Sequence, residues 1–460
     1  KIMTNTSTER IIEIVSAQKE LFRTGKTLDI EYRLTALRAL KAALKKWEKP
    51  LVDALWADLH KSYEEAYLTE LSIVLGEIDN HIRHLKSWAA PKRCATPIKM
   101  FPSRSKTISE PLGSSLIIAP WNYPVQLLLN PLVGAISAGC TAILKPSPYV
   151  ESVSTVIEKM IAETFAENYI AVVQGNRDVN TALLEQRYDI IFFTGSPSLG
   201  RKVMAAAAKN LTPVVLELGG KSPCIVDSSA NIATVARRIA WGKSLNAGQT
   251  CIAPDYLLVH KAVKSQLIEA LGREFRSLLG QNPKQCNHFV RIVNDKAFDR
   301  LVSYIDGADV VFGGEYDKSE RFIAPTIIDN VALDSPIMQE EIFGPIFPVV
   351  TFETTEEAVR FVTEREKPLA LYYFGDDKSA KYVLKHTSSG GACVNDTIMH
   401  IANEKLPFGG VGNSGMSSYH GRESFEVFSH RRAVVTTPTW IDVPFRYMPY
   451  KMFSLVKKLL

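Results

Sequence analysis

The sequence is poor in cysteine and lacks every paired-cysteine motif. Six of its 460 residues are cysteine, and no two of them have C-x-x-C spacing, which excludes a zinc site or a redox motif of that kind. Scattered thiols are typical of a protein from a reducing compartment, so we expect a cytoplasmic location and no bound metal.

Long apolar runs and blocks of one charge are also missing. The longest apolar stretch, residues 114–144, is interrupted by residues such as Pro120 and Pro131, so it falls short of the roughly 18 apolar residues of a membrane span. The N-terminus lacks the apolar core of a signal peptide. Lys and Arg number 54 against 49 Asp and Glu, and the net charge of +5 is spread along the chain, which argues against nucleic-acid binding.

The apolar periodicity that is present predicts an α/β fold. Residues 7–95 have the three-to-four-residue apolar spacing of helices, and residues 100–110 are polar and extended. From residue 114 onward short apolar strands alternate with amphipathic helices, and a second series of this kind starts near residue 222. Such alternation predicts two parallel sheets, each covered by helices on both faces.

Two motifs carry side chains suited to covalent catalysis. Cys251 ends the motif NAGQTC after a helix, where backbone N–H groups can lower the pKa of a thiol; the alternative is a buried, inert cysteine. Glu217 closes an apolar strand just before Gly219 and Gly220, as either a hinge ion pair or a general base with a raised pKa. A thiolate and a carboxylate at a cleft between two domains would suit a covalent intermediate that is then hydrolysed.

Two further motifs suit an oxyanion donor and a dinucleotide. Asn122 lies between Pro120 and Pro124, and a rigid amide is a good donor to a developing oxyanion; a loop asparagine that satisfies local backbone is the alternative. Residues 192–200 have the order strand, glycine turn and helix. This is the topology of a dinucleotide site without the usual G-x-G-x-x-G spacing.

The remaining motifs leave their function open. Lys145 ends a strand and is either a ribose or phosphate contact or a solvated surface lysine. Glu341 and Phe343 suit a ribose diol and a flat ring, or form only a capped turn. The glycine-rich segments 406–415 and 419–421 indicate a tightly folded loop, catalytic or structural.

Taken together, these segments resemble the aldehyde dehydrogenase superfamily over about residues 10 to 450. The order of the matching residues agrees with that family: Asn122, Lys145, Glu217, Cys251 and Glu341. The class 3 branch is the most similar, on the motifs GQTCIAPDY, VNDTIMHI, LPFGGVGNSGM and YHGRESFEVFSH.

The resemblance implies a role for each candidate residue. Cys251 attacks the aldehyde, Asn122 holds the oxyanion, and Glu217 activates the water that releases the acid. The residues implied to bind the cofactor are Trp121, Lys145, Gly195, Ser196, Gly200, Leu218, Gly219, Glu341 and Phe343. Those implied to line the substrate site are Tyr123, Phe408 and His420.

The resemblance also implies the domain plan, which is a Rossmann-like cofactor domain, a catalytic domain and a small β oligomerisation extension of a homodimer. The implied boundaries are 1–97 and 115–216 for the cofactor domain, 217–404 for the catalytic domain, 405–425 for an active-site bridging loop, 98–114 and 426–450 for the extension, and 451–460 for a tail. That tail is too short to span a membrane. It is expected to dock as a terminal helix, or to lie weakly on a membrane surface as a basic amphipathic helix.

One departure from the family bears on the cofactor. Relatives often carry a glutamate, which binds the adenosine ribose, at the position of Pro148. Without that carboxylate a 2′-phosphate is not repelled, so we expect use of NAD or NADP, with NADP+ at least as good.

Three alternatives to aldehyde oxidation remain. They are an acylating enzyme that passes the thioester to coenzyme A, a non-catalytic relative, and a cysteine hydrolase. Glu217 argues against the first, because a thiol acceptor needs no water-activating base. The expected substrates are medium or long aliphatic and aromatic aldehydes.

Overall fold

The computed structural model describes residues 5–442, 444–450 and 452–459. Residues 1–4, 443, 451 and 460 lie outside the described residues. They belong to the predicted cofactor domain, oligomerisation extension and C-terminal tail. The helices are α1 (Thr8–Arg23), α2 (Ile30–Lys46), α3 (Glu48–Leu59), α4 (Tyr63–Ala66), α5 (Ser72–Ala89), α6 (Gln126–Ala138), α7 (Glu151–Thr164), α8 (Arg177–Leu184), α9 (Pro197–Ala208), α10 (Ile232–Ser244), α11 (Lys264–Leu279), α12 (Asp295–Val302), α13 (Pro336–Gln339), α14 (Thr355–Thr363), α15 (Asp377–His386), α16 (Arg422–Val427) and α17 (Phe453–Leu459). The strands are β1 (Lys92–Cys94), β2 (Arg104–Pro111), β3 (Ser114–Ile118), β4 (Thr141–Lys145), β5 (Ile170–Val172), β6 (Ile190–Gly195), β7 (Val214–Leu218), β8 (Pro223–Val226), β9 (Tyr256–His260), β10 (Asp309–Phe312), β11 (Tyr316–Asp317), β12 (Phe322–Ile323), β13 (Thr326–Asp329), β14 (Ile346–Phe352), β15 (Ala370–Phe374), β16 (Gly391–Val394), β17 (Gly415–Met416) and β18 (Ser429–Thr436).

The first large sheet has the strand order β17-β7-β6-β3-β4-β5. Its strands are parallel except β17, which pairs antiparallel with β7. All residues of β3 and β4 are buried, as expected for strands that carry helices on both faces. The carboxyl ends of β6 and β7 therefore meet at one edge of this sheet.

The second large sheet has the order β10-β13-β14-β9-β8-β15-β16, and only its edge strand β10 runs antiparallel. The two sheets confirm the predicted α/β class. The segment 219–222 joins β7 of the first sheet to β8 of the second. The predicted domain boundary between residues 216 and 217 falls inside β7.

A third, smaller sheet joins distant parts of the chain in the order β1-β2-β18. Two expectations near it are wrong in detail. The helical region ends at Ala89, just before Pro91, and residues 92–94 form a strand because they pair with β2. The extended segment starts at Arg104 rather than at residue 100.

The C-terminal tail contains the seven-residue helix α17. The side chains described at residues 452–454 and 457–458 are exposed. No helix among the described residues has both the length and the apolar character that crossing a membrane requires.

Candidate active site

A cavity of about 1220 Å³ opens at the carboxyl ends of β6 and β7 and reaches the loop that follows α10. Its lining brings together residues from motifs that are far apart in the sequence. The predicted residues that line it are Trp121, Asn122, Gly195, Ser196, Glu217, Leu218, Gly219, Cys251, Glu341 and Phe343. The predicted residues that do not line it are Tyr123, Lys145, Gly200, Phe408 and His420.

Cys251 is half-buried at the end of a turn with unusual backbone conformation. Asn246 and Ala247 both have φ of 50°, a left-handed conformation that non-glycine residues rarely adopt. The buried side chain of Gln249 fixes the turn, because its Oε1 accepts from the Val293 N–H at 3.1 Å and its Nε2 donates to the Arg291 carbonyl at 3.1 Å. The thiol is thus held on a rigid loop.

The other cysteines do not line the cavity. All six are free thiols; Cys94 is exposed, Cys286 is half-buried like Cys251, and the remaining three are buried. The expectation that the turn lowers the pKa of Cys251 is wrong for the protein without ligands. Burial raises that pKa, and the carboxyl groups of Glu341 and Glu217 raise it further, more than nearby backbone N–H groups lower it.

Glu217 lies within β7, not after it, and is buried. Neither of its carboxyl oxygens has a hydrogen-bond partner, and no ion pair among the described residues includes it. The hinge ion-pair interpretation is therefore wrong. Because an unpaired carboxylate is unfavourable in a buried site, burial raises the pKa of Glu217 well above its usual range.

The side chain of Asn122 bonds to the loop that precedes Cys251 rather than to the backbone of its own loop. Its side-chain Nδ2 donates to the Gln249 carbonyl at 3.0 Å, while its Oδ1 is buried without a partner. Its backbone carbonyl accepts from Lys61 Nζ at 3.1 Å and from Asn246 Nδ2 at 3.0 Å. An amide nitrogen has two N–H groups, so one of them is left to bind a ligand.

The other end of the cavity starts at the N-terminus of α9. Ser196 caps this 12-residue helix and accepts from the Leu199 N–H. A helix start of this kind presents free N–H groups, which suit a phosphate. Gly200 lies on the same helix against Leu218, where a Cβ would be only 2.7 Å from that side chain. Gly200 thus allows close packing of helix and strand, without lining the cavity.

Charged side chains hold the Glu341–Phe343 segment in place. Lys221 pairs with Asp255 at 2.5 Å, and Asp255 also accepts from the Ile342 N–H at 2.9 Å. Glu341 is half-buried, and burial raises its pKa to about 8. A Cβ at Gly219 would be 2.0 Å from the Glu341 carboxyl group, so any other residue there would displace that carboxyl group.

An aromatic pair lies beside this segment. The rings of Phe343 and Trp121 meet edge to face with centroids 5.5 Å apart. Both residues line the cavity, so a flat ring bound near Cys251 would contact apolar surface.

Lys145 ends β4 and is almost completely buried, so the surface-lysine interpretation is wrong. Its Nζ donates to the Pro146 carbonyl at 2.7 Å, and burial lowers its pKa to about 8. Pro148, three residues further on, is exposed.

The three predicted substrate residues form packed groups outside the cavity lining. The Tyr123 hydroxyl is 2.7 Å from Thr250 Oγ1, one residue before Cys251. The rings of Phe408 and His420 stack at 5.2 Å, and His420 Nε2 is buried without a partner. Their place in substrate binding stays a prediction.

Sequence reasoning missed Thr194 and Tyr419. Thr194 pairs in register with Glu217 in the parallel sheet, and its hydroxyl is buried without a partner. Tyr419 also has a buried, unpartnered hydroxyl, and burial raises the pKa of its phenol group well above the usual range. Strand register could have identified Thr194, since it directly precedes the Gly195 turn. Tyr419 begins the segment 419–421 whose function the sequence left open, and no signal marked its hydroxyl.

Comparison with known proteins gives a consistent result along the whole chain. The model of the "Aldehyde dehydrogenase family" matches residues 2–434. The 4,4′-diaponeurosporen-aldehyde dehydrogenase of Staphylococcus aureus (strain NCTC 8325 / PS 47) is 48% identical over 443 residues, covering 95% of this chain and 96% of that protein. The dimeric NADP-preferring aldehyde dehydrogenase of Canis lupus familiaris is 43% identical, with 96% and 98% covered. The structure described as the substrate-bound state of Staphylococcus aureus AldH superposes with a TM-score of 0.96 at 46% identity, covering 98% of this chain and 99% of that one.

Proposed function

The chain belongs to the aldehyde dehydrogenase family, and from this premise we propose how it oxidises an aldehyde with NAD or NADP. The observation that carries the proposal is the convergence of Cys251, Asn122 and Glu217 on one cavity. A thiol, an amide donor and an unpaired carboxyl group are the three parts that thioester formation and hydrolysis require.

In the first step the sulfur of Cys251 forms a bond to the carbonyl carbon of the aldehyde, and the carbonyl π electrons move to its oxygen. Asn122 Nδ2 and the backbone N–H of Cys251 donate hydrogen bonds to that oxygen. The raised pKa of Cys251 means that the thiol must lose its proton before or during the attack. Glu217 is the buried base available in the same cavity.

The residues at the outer end of the cavity fit a nicotinamide dinucleotide. The start of α9 offers N–H groups to the pyrophosphate, and Gly219 leaves space beside Glu341. Lys145 and Glu341 are the proposed ribose contacts, and the Phe343 ring backs the nicotinamide. A bound oxidised nicotinamide would supply the acceptor for the hydride that leaves the former carbonyl carbon, so that the Cys251 thiohemiacetal becomes a thioester.

In the last step Glu217 takes a proton from a water molecule as that water attacks the thioester carbon. The carbon–sulfur bond breaks, the carboxylic acid leaves, and the Cys251 thiolate is restored. Because burial raises the pKa of Glu217, this carboxylate is a stronger base than an exposed one. The step is expected to accelerate as the pH rises through that pKa.

We propose medium or long aliphatic and aromatic aldehydes as substrates, with NADP+ used at least as well as NAD+. The exposed Pro148 supports the cofactor part, since it places no carboxylate where a 2′-phosphate would lie. The apolar and aromatic groups around Tyr123, Phe408 and His420 support the substrate part.

The experiment is a panel of aldehydes of increasing chain length, assayed with each cofactor and with the product identified. We expect carboxylic acid as product, kcat/KM rising with chain length, and a ratio for NADP+ over NAD+ of at least one. A kcat/KM for NAD+ more than tenfold above that for NADP+ contradicts the cofactor proposal.

The coenzyme A alternative is tested in the same assay by adding coenzyme A. The unpartnered Glu217 carboxyl group favours hydrolysis, because a thiol acceptor needs no such base. Acyl-coenzyme A in place of acid would overturn the hydrolytic route.

We further propose that the domain boundaries follow the family plan given above and that the protein is a cytoplasmic homodimer. The three-stranded sheet supports the second point, because β18 is an edge strand with a free side. Sedimentation at two concentrations tests it.

A further inference from the structure

A fully buried ion pair lies behind the turn that carries Asn122. Lys61 Nζ is 2.7 Å from Glu70 Oε1, and neither side chain is exposed to solvent. Lys61 follows α3, and Glu70 lies between α4 and α5. Neither residue lines the cavity, and the proposed reaction uses neither.

Stability alone does not account for two charges in this place. Removing a lysine and a carboxylate from water is costly, and apolar residues of equal volume often stabilise a protein as well or better. The remaining hydrogen bonds of the pair therefore indicate what the charges do.

Those hydrogen bonds all end on residues 122–126. Lys61 Nζ donates to the Asn122 carbonyl at 3.1 Å and lies 4.3 Å from the centre of the Tyr123 ring. Glu70 Oε2 accepts from the N–H of Val125 at 2.8 Å and from that of Gln126 at 3.3 Å.

The Asn122 carbonyl also accepts a hydrogen bond from the loop that precedes Cys251. Asn246 Nδ2 donates to the Asn122 carbonyl and to the Gln249 carbonyl, both at 3.0 Å. The Gln249 carbonyl in turn accepts from Asn122 Nδ2 at 3.0 Å. The backbone of Asn122 thus receives one hydrogen bond from the buried pair and one from the loop before Cys251.

We propose that Lys61 and Glu70 are a positioning pair that holds the Asn122 turn so that its amide can stabilise the oxyanion at Cys251. The pair acts through the backbone of Asn122 and touches no reacting atom. This inference rests on the proposed function, in which Asn122 is the oxyanion donor.

The test measures acylation of Cys251 by 4-nitrophenyl acetate, which needs no cofactor and reports as a burst of nitrophenolate. Lys61→Met keeps much of the side-chain volume but loses the donor to the Asn122 carbonyl. We expect its acylation rate to fall at least tenfold. Lys264→Met is the matched control, since Lys264 forms a partly buried ion pair with Asp329 that lies outside the cavity lining. It should acylate at the wild-type rate.

A double-mutant cycle shows whether Lys61 acts through Asn122. In an Asn122→Ala background the Lys61→Met change should slow acylation less than twofold further. An additional tenfold loss in that background would overturn the proposal, because Lys61 would then act independently of the amide.

A second variant separates positioning from folding. Lys61→Met with Glu70→Gln removes both charges of the pair, so its urea midpoint should exceed that of Lys61→Met. Its acylation should stay slow, because the Asn122 carbonyl still lacks its donor. Recovery of the wild-type acylation rate together with stability would overturn the positioning role. If Lys61→Met does not fold, the double variant provides the comparison with wild type.

Results that contradict the proposed function differ from those that contradict the positioning role. They are the absence of a nitrophenolate burst with wild type, or a burst with Cys251→Ala equal to that of wild type.

Discussion

The two ends of the cavity differ in how their polar groups are satisfied. At the inner end, Glu217, Thr194 and Asn122 keep buried oxygens without partners. At the outer end, Lys221 and Asp255 form an ion pair, and further hydrogen bonds from Lys221 to backbone carbonyls support it. Unsatisfied buried groups cost stability, and these three lie where the proposed reaction takes place.

From this difference we expect substitutions at the two ends of the cavity to have different kinetic effects. Groups that lack partners in the ligand-free protein find them only as the reaction proceeds, so changing them should lower kcat. Groups at the outer end stabilise the bound nucleotide equally before and during the reaction. Changing them should therefore raise the nucleotide KM and leave kcat unchanged. Four substitutions test this division, in decreasing order of expected effect.

Cys251→Ala should abolish dehydrogenase turnover while nucleotide binding, measured by fluorescence titration, stays unchanged. The thioester cannot form without the sulfur, whereas the nucleotide contacts lie elsewhere. Cys286→Ala is the control, since that thiol is also half-buried but does not line the cavity. Turnover in the Cys251→Ala protein would show that the inner end is not the chemical centre.

Glu217→Gln should lower steady-state turnover by roughly 10²–10⁴-fold, the usual contribution of a general base. A burst of one NAD(P)H per site should remain in rapid-mixing experiments if only hydrolysis needs the carboxylate. The wild-type deacylation rate should rise with pH through the raised pKa of Glu217, and the Gln variant should lose this dependence.

The same variant also has a thermodynamic signature. Because burial raises the pKa of Glu217 in the folded protein, its contribution to stability is full at low pH and is lost as the pH rises through that folded-state value. Glu217→Gln should therefore gain stability relative to wild type in urea unfolding as the pH rises from the usual carboxyl range toward that folded-state pKa. Equal pH dependence of the two proteins would mean that the carboxylate is not desolvated.

Gly219→Ala should raise the nucleotide KM about tenfold, a cost of about 1.4 kcal/mol, because the new methyl group collides with the Glu341 carboxyl group. Gly220→Ala offers a matched control, since a Cβ there has its nearest neighbour at 3.5 Å. An effect on kcat with unchanged KM would place Glu341 with the inner end instead.

Pro148→Glu should lower kcat/KM for NADP+ about fivefold relative to NAD+, since two charges about 4 Å apart in water repel by about 1 kcal/mol. Pro148→Gln is the control, because glutamine has nearly the same shape as glutamate without its charge. It should leave the ratio of kcat/KM for NADP+ over NAD+ near that of wild type. An equal loss with both cofactors would indicate a local packing effect.

The sequence predicts the sheets well because their strands are short apolar runs between clear helices. The strands β8 and β9 and the helices α10 and α11 follow the alternation that the sequence predicts from about residue 222 onward. The small sheet is less predictable, because β1 is a strand only through its pairing with β2, which lies beyond Pro97 and a short turn. Pairing between separate segments leaves no periodic signal in three residues.

The inner end of the cavity was predictable from its motifs, but its electrostatics were not. The turn before Cys251 suggested a lowered thiol pKa, yet burial outweighs the local N–H groups. Lys61 and Glu70 carry no motif at all, and the segments that bear them, after α3 and before α5, meet residues 122–126 only in the folded chain. Only the folded chain shows that these two charges have no water around them.

The distribution of the thiols has a practical consequence for counting functional molecules in a preparation. Three cysteines are buried and Cys94 is exposed, so replacing Cys94 leaves Cys251 and Cys286 as the two half-buried thiols. Of these two, only Cys251 faces the cavity. An electrophilic dye attached to a group that fills the cavity would thus react with one thiol per active centre. Its fluorescence would report the concentration of active centres directly.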